Sequence, residues 1–277
     1  MTVTPHMIKE LRDITGVGIG KCKEALEEAN GNIDEAISIL RKAGLASAAK
    51  KEGRAANEGK IASAESGKTI AVVEVNAETD FVVNNERFQN FLNDIAQEIA
   101  ATKPNSLEEF MMQKFSKDSS MTIDEYRASM VQAIGENIQI KRFKTFVKNS
   151  SHSIGVYSHL GGKMLTVVEI EGSDAMEDLA KDIAMHVAAT SPEYISAENV
   201  PESIIKNERE IARSQVQGKP EFVADKIVEG KISKFYDDTC LERQPFIKDD
   251  SLKIGDLVKK HGGTLKISNF IRWTVGQ

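Results

Sequence analysis

The chain has 277 residues, 40 % of them hydrophobic and 28 % charged, which is enough for one large domain or for two to three smaller ones. Its net charge of −6 leaves no excess of Lys and Arg to displace counterions, which argues against direct binding to nucleic acid. No apolar run approaches the roughly 20 residues of a membrane span. The N-terminus has no apolar leader segment, so we expect a cytoplasmic protein without a membrane partner.

The first 47 residues have the pattern of three short helices. Thr4 is a suitable N-cap for the first helix, because its hydroxyl can accept from a free backbone amide. The run "GVGIG" (16–20) breaks the helical pattern before a second apolar stripe. Asn32 is the expected N-cap of the third helix, and Gly44 is its expected end. Three helices of this length bury little area, so residues 1–47 are predicted to form a small module.

An internal repeat dominates the rest of the chain. Three segments recur in the same order, and the members of each pair share residue types or hydrophobic pattern. The pairs are "GKTIAVVEVN" (67–76) with "GKMLTVVEIE" (162–171), "DIAQEIAATKP" (94–104) with "DIAMHVAATSP" (182–192), and "MVQAIGENIQIKRF" (130–143) with "LVKKHGGTLKISNF" (257–270). Each copy therefore predicts a strand, a long helix, a variable connection, a helix and a strand.

These patterns predict an α+β fold with a duplicated core. Apolar and polar residues alternate in the strands, which is typical of antiparallel or mixed sheets with one face covered by helices. We expect one core subdomain over 61–149 and a second over 150–277. Residues 48–60 are rich in Ala, Gly and Lys without an apolar period, and are expected to be a solvated linker.

The first difference between the copies lies between the first strand and the long helix. This connection takes residues 76–93 in the first copy and 171–181 in the second, so the first is longer by seven residues. The surplus contains "TDFV", which places Phe81 directly after Asp80. Because the second copy connects its strand to its helix without these residues, the fold does not require them. Two interpretations of Phe81 remain open: it folds back to cap the following helix, or it contacts a partner.

The second difference is an insertion in the second copy. Residues 200–237 contain two helical apolar patterns separated by a Gly-Lys-Pro turn, and they predict a helical hairpin. The two helices could bury their apolar faces on each other alone. They could also protrude to contact a partner or to form a homodimer.

No pattern for catalysis or for a cofactor occurs. The sequence has no P-loop, nucleophile elbow, zinc-protease helix or CxxC pair, so we expect neither an enzyme nor a bound cofactor. The two cysteines, Cys22 and Cys240, are expected to be reduced thiols. His186 in "IAMHVAA" has no second metal ligand nearby. It is either a solvent-facing or hydrogen-bonded boundary residue, or a contact residue at an interface.

Several motifs in order across the chain resemble one family. The motifs are "IKELRDITGVGIGKCKEALEEANGNIDEAISILRKAG", "VEVNAETDFVVNNERF", "IAMHVAA", "GKPEFVADKIVEGKISKFY", "CLERQPF" and "IRWTVG". The set is similar to bacterial elongation factor Ts. The resemblance implies an exchange factor that binds elongation factor Tu in its GDP-bound and nucleotide-free forms, with a helical N-terminal module like a ubiquitin-associated domain. Many members continue beyond "IRWTVG" with a further helical module, and its contacts are not expected here.

The resemblance also implies which residues contact the GTPase. The "TDFV" residues, Thr79, Asp80, Phe81 and Val82, would displace Mg²⁺ from its site in elongation factor Tu. Further contacts would come from Lys23, Lys51, Met164 and His186. A second hypothesis is an adaptor in which the N-terminal helices carry most of the affinity for a partner and the core is a scaffold.

Overall fold

We describe the protein from a computed structural model, which covers residues 3–218 and 220–277. It is a mixed α+β protein with helices at the N-terminus, followed by small antiparallel sheets with helices. The chain forms two compact units, one of residues up to 147 with 160–163 and 274–277, the other of residues 148–159 and 164–273. Within the described residues, no helix is both long and apolar enough to cross a membrane.

The N-terminal helices are α1 (Pro5–Thr15), α2 (Ile19–Glu28) and α3 (Ile33–Lys51). The predicted caps are present: Thr4 Oγ1 accepts from the amide of Met7, and Asn32 Oδ1 accepts from that of Glu35. Gly16 ends α1 at a φ of 68°, which glycine adopts at little cost. Leu11, Cys22 and Leu26 are fully buried among the three helices.

The prediction that Gly44 ends the third helix was wrong. Helix α3 continues to Lys51, so it includes residues 48–51 of the predicted linker, and the next strand begins at Glu58. Gly44 is buried against a later helix, where an added Cβ would lie 3.2 Å from Gln132 Oε1 and 3.4 Å from the carbonyl oxygen of Ala128. The glycine therefore permits a close helix–helix approach.

The first unit contains a three-stranded sheet covered by helices. Its sheet has the order β1-β2-β5, with both pairs antiparallel, and β2 is buried along its whole length. The elements are β1 (Glu58–Ser66), β2 (Thr69–Ala77), α4 (Asp80–Val83), α5 (Glu86–Thr102), α6 (Leu107–Met112), β3 (Lys114–Phe115), β4 (Asp118–Thr122), α7 (Ile123–Ile134) and β5 (Ile138–Val147). Phe88, Phe91 and Ile95 on α5 are fully buried in the core.

The second unit has a sheet with the order β10-β7-β6, in which β6 and β7 are antiparallel. Its elements are β6 (His152–His159), β7 (Met164–Glu171), α8 (Glu177–Thr190), α9 (Glu202–Ser214), α10 (Glu221–Thr239), β8 (Pro245–Phe246), β9 (Asp249–Lys253), α11 (Ile254–His261) and β10 (Lys266–Thr274). Helices α9 and α10 lie at the predicted hairpin, and α10 continues two residues beyond it. Ala212 on α9, Val216 just after it, and Val228 and Ile232 on α10 form a small core of their own.

Each unit contains a short hairpin, β3–β4 or β8–β9, that the sequence analysis missed. The hairpins have related sequences, "QKFSKDSSMTI" (113–123) and "QPFIKDDSLKI" (244–254). In each, the amide of the final Ile donates to the carbonyl of the initial Gln at 3.0 Å. A lysine of each hairpin forms an ion pair with an aspartate on the long helix of its unit. Lys117 Nζ lies 2.6 Å from Asp94 Oδ1 on α5, and Lys248 Nζ lies 2.7 Å from Asp182 Oδ1 on α8. The hairpins therefore make corresponding contacts.

Candidate partner-binding site

The "TDFV" stretch forms a single helical turn, α4, between β2 and α5. Thr79 is its N-cap: the hydroxyl accepts from the amide of Val82 at 3.4 Å, and the carbonyl accepts from the amide of Val83 at 3.3 Å. The turn ends at Asn84, whose amide and side chain both donate to the carbonyl oxygen of Asp80. The residues between Thr79 and Asn84 are therefore held by local hydrogen bonds.

Two carboxylates tie α4 to the corner between α7 and β5. The amide and hydroxyl of Thr79 donate to the carboxylate of Glu136 at 3.0 and 2.7 Å. One residue earlier, Glu78 accepts from the amide of Asn137 at 2.7 Å and lies 3.5 Å from Arg54. Hydrogen bonds thus join the two residues between β2 and α4 to the two residues just before β5, which fixes the start of the turn.

The side chains of α4 divide between core and surface. Val83 is 1 % exposed and Val82 packs partly against the core, whereas Phe81 is 83 % exposed beside the exposed Asp80. The interpretation that Phe81 folds back to cap α5 was wrong, because Val83 occupies the buried position of the turn. An exposed phenylalanine gives the fold little apolar burial.

The N-terminal helices lie beside α4. A shallow groove next to Phe81 is lined by Gly16 and Gly18 from the α1–α2 turn and by Ile134 from α7. Arg87 on α5 donates to the carbonyl oxygen of Gly16 at 2.7 Å, which attaches the turn to the core. The contact between Arg87 and Gly16 was not predictable from local sequence, although the glycine run marked the turn. The α1–α2 turn and α4 therefore form one continuous surface within the first unit.

Two lysines that the resemblance implied as contacts lie on the N-terminal helices of the same unit. Lys23 is exposed on α2, and its ammonium lies 3.6 Å from Glu27. Lys51 is half-buried at the end of α3 and donates to the carbonyl oxygen of Val131 at 3.5 Å. Burial and the nearby Arg54 lower the pKa of Lys51. Neither lysine makes a hydrogen bond or an ion pair with residues 79–82.

The other two implied contacts belong to the second unit, where Met164 is half-buried at the start of β7. His186 is fully buried on α8. Its Nε2 donates to Gln244 Oε1 at 3.0 Å, and its Nδ1 accepts from the amide of Ile247 at 3.3 Å. Burial lowers the pKa of His186. The solvent-facing interpretation was wrong: His186 is a neutral, hydrogen-bonded residue that attaches the β8–β9 hairpin to α8.

In the first unit, the residue that corresponds to His186 is Glu98, and its side chain also holds a hairpin against a helix. Glu98 on α5 is buried and accepts from the side chain of Gln113 at 3.3 Å and from the hydroxyl of Ser116 at 2.7 Å. Gln113 and Gln244 are the first residues of the two related hairpin sequences. Both units therefore use a polar helix residue to fix a hairpin through its leading glutamine.

Comparison with known proteins places this chain in a family. The family model described as "Elongation factor TS" matches residues 78–277, so it includes α4 and continues through the second unit. Elongation factor Ts of Protochlamydia amoebophila is 63 % identical over 279 residues, with 99 % of each chain covered. Those of Chlamydia caviae and Chlamydia felis are 46 % and 44 % identical over 273 residues, with 97 % of each chain covered. The chain belongs to the elongation factor Ts family.

Proposed function

We propose that the protein is the guanine nucleotide exchange factor of elongation factor Tu and acts in the cytoplasm. It binds the GDP-bound GTPase, disturbs the Mg²⁺ and nucleotide site, releases GDP and leaves the nucleotide-free GTPase open to GTP. The main support for this proposal is the exposure of Phe81, 83 %, on a turn whose N-cap, Thr79, is hydrogen-bonded to Glu136. Membership of the family supports the choice of partner.

The anchored turn suits insertion into another protein. Because Thr79 and Glu136 already hold α4, little conformational entropy is lost when Phe81 enters a pocket of the GTPase. Asp80 is exposed at the start of α4 and has no ion pair within the described part of the chain, so its charge is available to the partner. Phe81 supplies the area that becomes buried, while Val82 packs partly against the core.

Exchange by this route needs no chemistry from the protein itself. Mg²⁺ requires nearly ideal octahedral oxygen geometry, so displacing the GTPase groups that hold it weakens the metal and the nucleotide together. Each loss of about 1.4 kcal/mol in binding free energy weakens GDP binding tenfold. The exchange factor needs only to bind the disturbed state more tightly than the GDP-bound state. By linkage, GDP then weakens the binding of the exchange factor by the same factor.

The remaining implied residues extend the proposed interface. Lys23 and Lys51 contact the GTPase from the N-terminal helices, and Met164 contacts it from the start of β7. His186 acts indirectly, because its imidazole is buried and fixes the hairpin after Gln244. We assign it as a positioning residue for the surface formed by α8 and that hairpin.

We also propose a finer division of the chain into domains. Residues 1–47 belong to a module like a ubiquitin-associated domain. Its connection to the core, expected over 48–60, is limited to 52–57, because α3 continues to Lys51 and β1 begins at Glu58. The core arose by duplication into 61–149 and 150–277. Two observations support the duplication: the sheets have corresponding strand orders, and the short hairpins make corresponding contacts.

A homodimer through the helical hairpin, over 200–237, is a further proposal. Phe222 and Val223 at the start of α10 are exposed, and so is Ile211 on α9. They lie outside the small core that α9 and α10 share. Sedimentation velocity over a range of concentrations tests this directly, since a dimer through these residues would dissociate when Phe222 is replaced by Ser.

The experiment that tests the function follows release of a fluorescent GDP from elongation factor Tu. We expect addition of this protein, with unlabelled GDP in excess, to accelerate release in proportion to its concentration until the GTPase is saturated. Release at the spontaneous rate, with binding to the GTPase still detectable, would contradict exchange and would favour the adaptor hypothesis. Absence of any binding would contradict both.

A further inference from the structure

A second apolar surface of the first unit takes no part in the proposed contacts of α4. It is a groove between the end of α3, helix α6, and the start of α7 with β5. Its apolar lining comes from Leu45, Leu107, Met111, Met112 and Ile140. Leu45, Leu107 and Met111 are half-buried against the core, but Met112 is 79 % exposed. We refer to this surface as the methionine groove.

The fold does not require methionines at this place. The related hairpin sequences align Gln113 with Gln244, and the two glutamines accept the same backbone hydrogen bond at 3.0 Å, from Ile123 and Ile254. The residues just before them therefore correspond, so that Met111 and Met112 match Glu242 and Arg243. Charged residues at these positions are thus compatible with the architecture.

In the second unit, the corresponding arginine has a local role. Arg243 pairs with Asp237, with Nε 2.9 Å from Oδ1, and also donates to the hydroxyl of Ser233 at 3.0 Å. Met112 has no comparable role, because its side chain lies outside the core cluster and is mostly in solvent. Its apolar character is therefore unexplained by folding and is suited to contact.

The rim of the methionine groove is acidic. Three carboxylates line it, from Glu52, Glu108 and Asp124, together with one cation, Arg127. Arg127 is already engaged: its Nη2 lies 2.6 Å from Asp124, and its Nη1 donates to the carbonyl oxygen of Ile138 at 3.1 Å. Glu52 and Glu108 form no ion pair with other residues that the structure describes. The groove thus offers uncompensated negative charge beside an apolar floor.

We propose that the methionine groove binds an amphipathic helix of a partner protein whose apolar stripe is flanked by Lys or Arg. Grooves between helices accept such helices through anchors at positions i, i+3, i+4 and i+7. Methionine adapts its shape to different apolar side chains, and Met-rich surfaces therefore tolerate varied partners. The carboxylates of Glu52 and Glu108 attract the flanking cations and disfavour an acidic helix.

A labelled model peptide provides the test. The probe is a fluorescein-labelled helix of Leu and Lys, with Leu at the i, i+3, i+4, i+7 spacing; its control has Glu in place of every Lys. The key variant is the double substitution Met111→Glu with Met112→Arg, which adopts the residues of the second unit and leaves the net charge unchanged. We expect fluorescence anisotropy to show binding of the basic peptide, a loss of at least about tenfold in affinity for the variant, and no binding of the acidic control.

Two measurements locate the binding and check the fold. Methyl NMR of ¹³C-labelled methionine should show the Met111 and Met112 signals shifting with the basic peptide. The variant should keep its effect on GDP release, because the groove is separate from residues 79–82. It should stay folded with a modest loss of melting temperature, because Met111 packs partly against the core. If the double variant does not fold, Met112→Arg alone replaces it, since that side chain is already largely exposed.

Three outcomes would overturn the proposal. Equal affinity of the basic peptide for the variant would mean that it binds elsewhere on an acidic protein. Equal binding of the acidic peptide would remove the argument from charge. Self-association of the wild type that the variant abolishes, measured by sedimentation velocity, would assign the groove to a second copy of this chain.

Discussion

Thr79 and Glu136 are joined by two hydrogen bonds, from the backbone amide at 3.0 Å and from the hydroxyl at 2.7 Å. The same hydroxyl accepts from the amide of Val82, so one side chain both caps α4 and attaches it to the α7–β5 corner. This arrangement explains how an exposed Phe81 is held in a defined direction on a turn of four residues.

Replacing Thr79 by Ala removes the cap and one of the two bonds to Glu136. Loss of a Thr cap costs about 1 kcal/mol of stability. We expect Thr79→Ala to lower the rate of GDP release from elongation factor Tu several-fold while the protein stays folded, because α4 becomes mobile. Stopped-flow release of fluorescent GDP and urea unfolding measure the two effects.

The matched control for that change is Thr79→Ser, which keeps the hydroxyl. It should retain most of the exchange rate and most of the stability. If Ser were as defective as Ala, the methyl group of Thr79 would matter more than its hydrogen bonds, and the anchoring role described for Glu136 would be wrong.

The protein should become less stable in mildly acidic solution, because His186 binds a proton more readily in the unfolded chain than in the folded one. Burial lowers its pKa in the folded protein, whereas in the unfolded chain it is about 6.5. As the pH falls below that value, the unfolded state binds the proton first, so the free energy of unfolding decreases until the folded pKa is reached. The slope from one such group is at most about 1.4 kcal/mol per pH unit.

Urea unfolding of wild type and His186→Gln between pH 7.5 and 5.0 measures this contribution. The other histidines are present in both proteins, so the difference in slope reports His186. We expect the variant to be less stable at neutral pH but to lose less stability on acidification. Parallel curves would show that His186 titrates alike in folded and unfolded chains.

Two glycines should respond oppositely to substitution by Ala. Gly230 lies within α10, and an added Cβ would meet no atom within 4 Å. Gly230→Ala should therefore stabilise the protein by about 0.5–1 kcal/mol, because Gly is unfavourable inside a helix. Gly155 on β6 is packed on α8, where a Cβ would lie 2.1 Å from the carbonyl carbon of Ala180.

Gly155→Ala should consequently destabilise the protein, by about 1–3 kcal/mol as in other overpacked sites. Thermal unfolding by circular dichroism compares the two variants directly. A lower melting temperature for Gly230→Ala would mean that the glycine at that position serves a bend or a contact not evident in α10.

The parts of this fold that local patterns encode were predictable. The caps at Thr4 and Asn32 depend on residues only three positions apart. The corresponding strands of the two copies, β2 and β7, have apolar runs long enough to recognise. The β3–β4 hairpin was missed because its strands are short and polar, so they give no alternating signal.

What was not predictable depends on contacts between distant positions. Gly44 resembled a helix end, but its role is set by α7, more than 80 residues later in the chain. His186 was ambiguous because its partner, Gln244, is 58 residues away. Phe81 was also undecided, since only the packing of Val83 shows which residue of α4 enters the core.

Two control substitutions distinguish a contact role of Phe81 from a structural one when Phe81→Ala is measured. Phe88→Ala removes the same side chain from a fully buried site on α5, and should cost about 3–5 kcal/mol of stability. Val147→Ala shortens another exposed apolar side chain at the end of β5 and should change neither exchange nor stability much.

The most direct measurement is the rate of fluorescent GDP release from elongation factor Tu with wild type or Phe81→Ala, together with their melting temperatures. We predict a loss of at least about tenfold in exchange, because truncating an interface aromatic of this kind costs about 2 kcal/mol or more, with an unchanged melting temperature. An unchanged exchange rate, or a loss of exchange explained by a melting temperature several degrees lower, would show that Phe81 does not act as a contact to the GTPase.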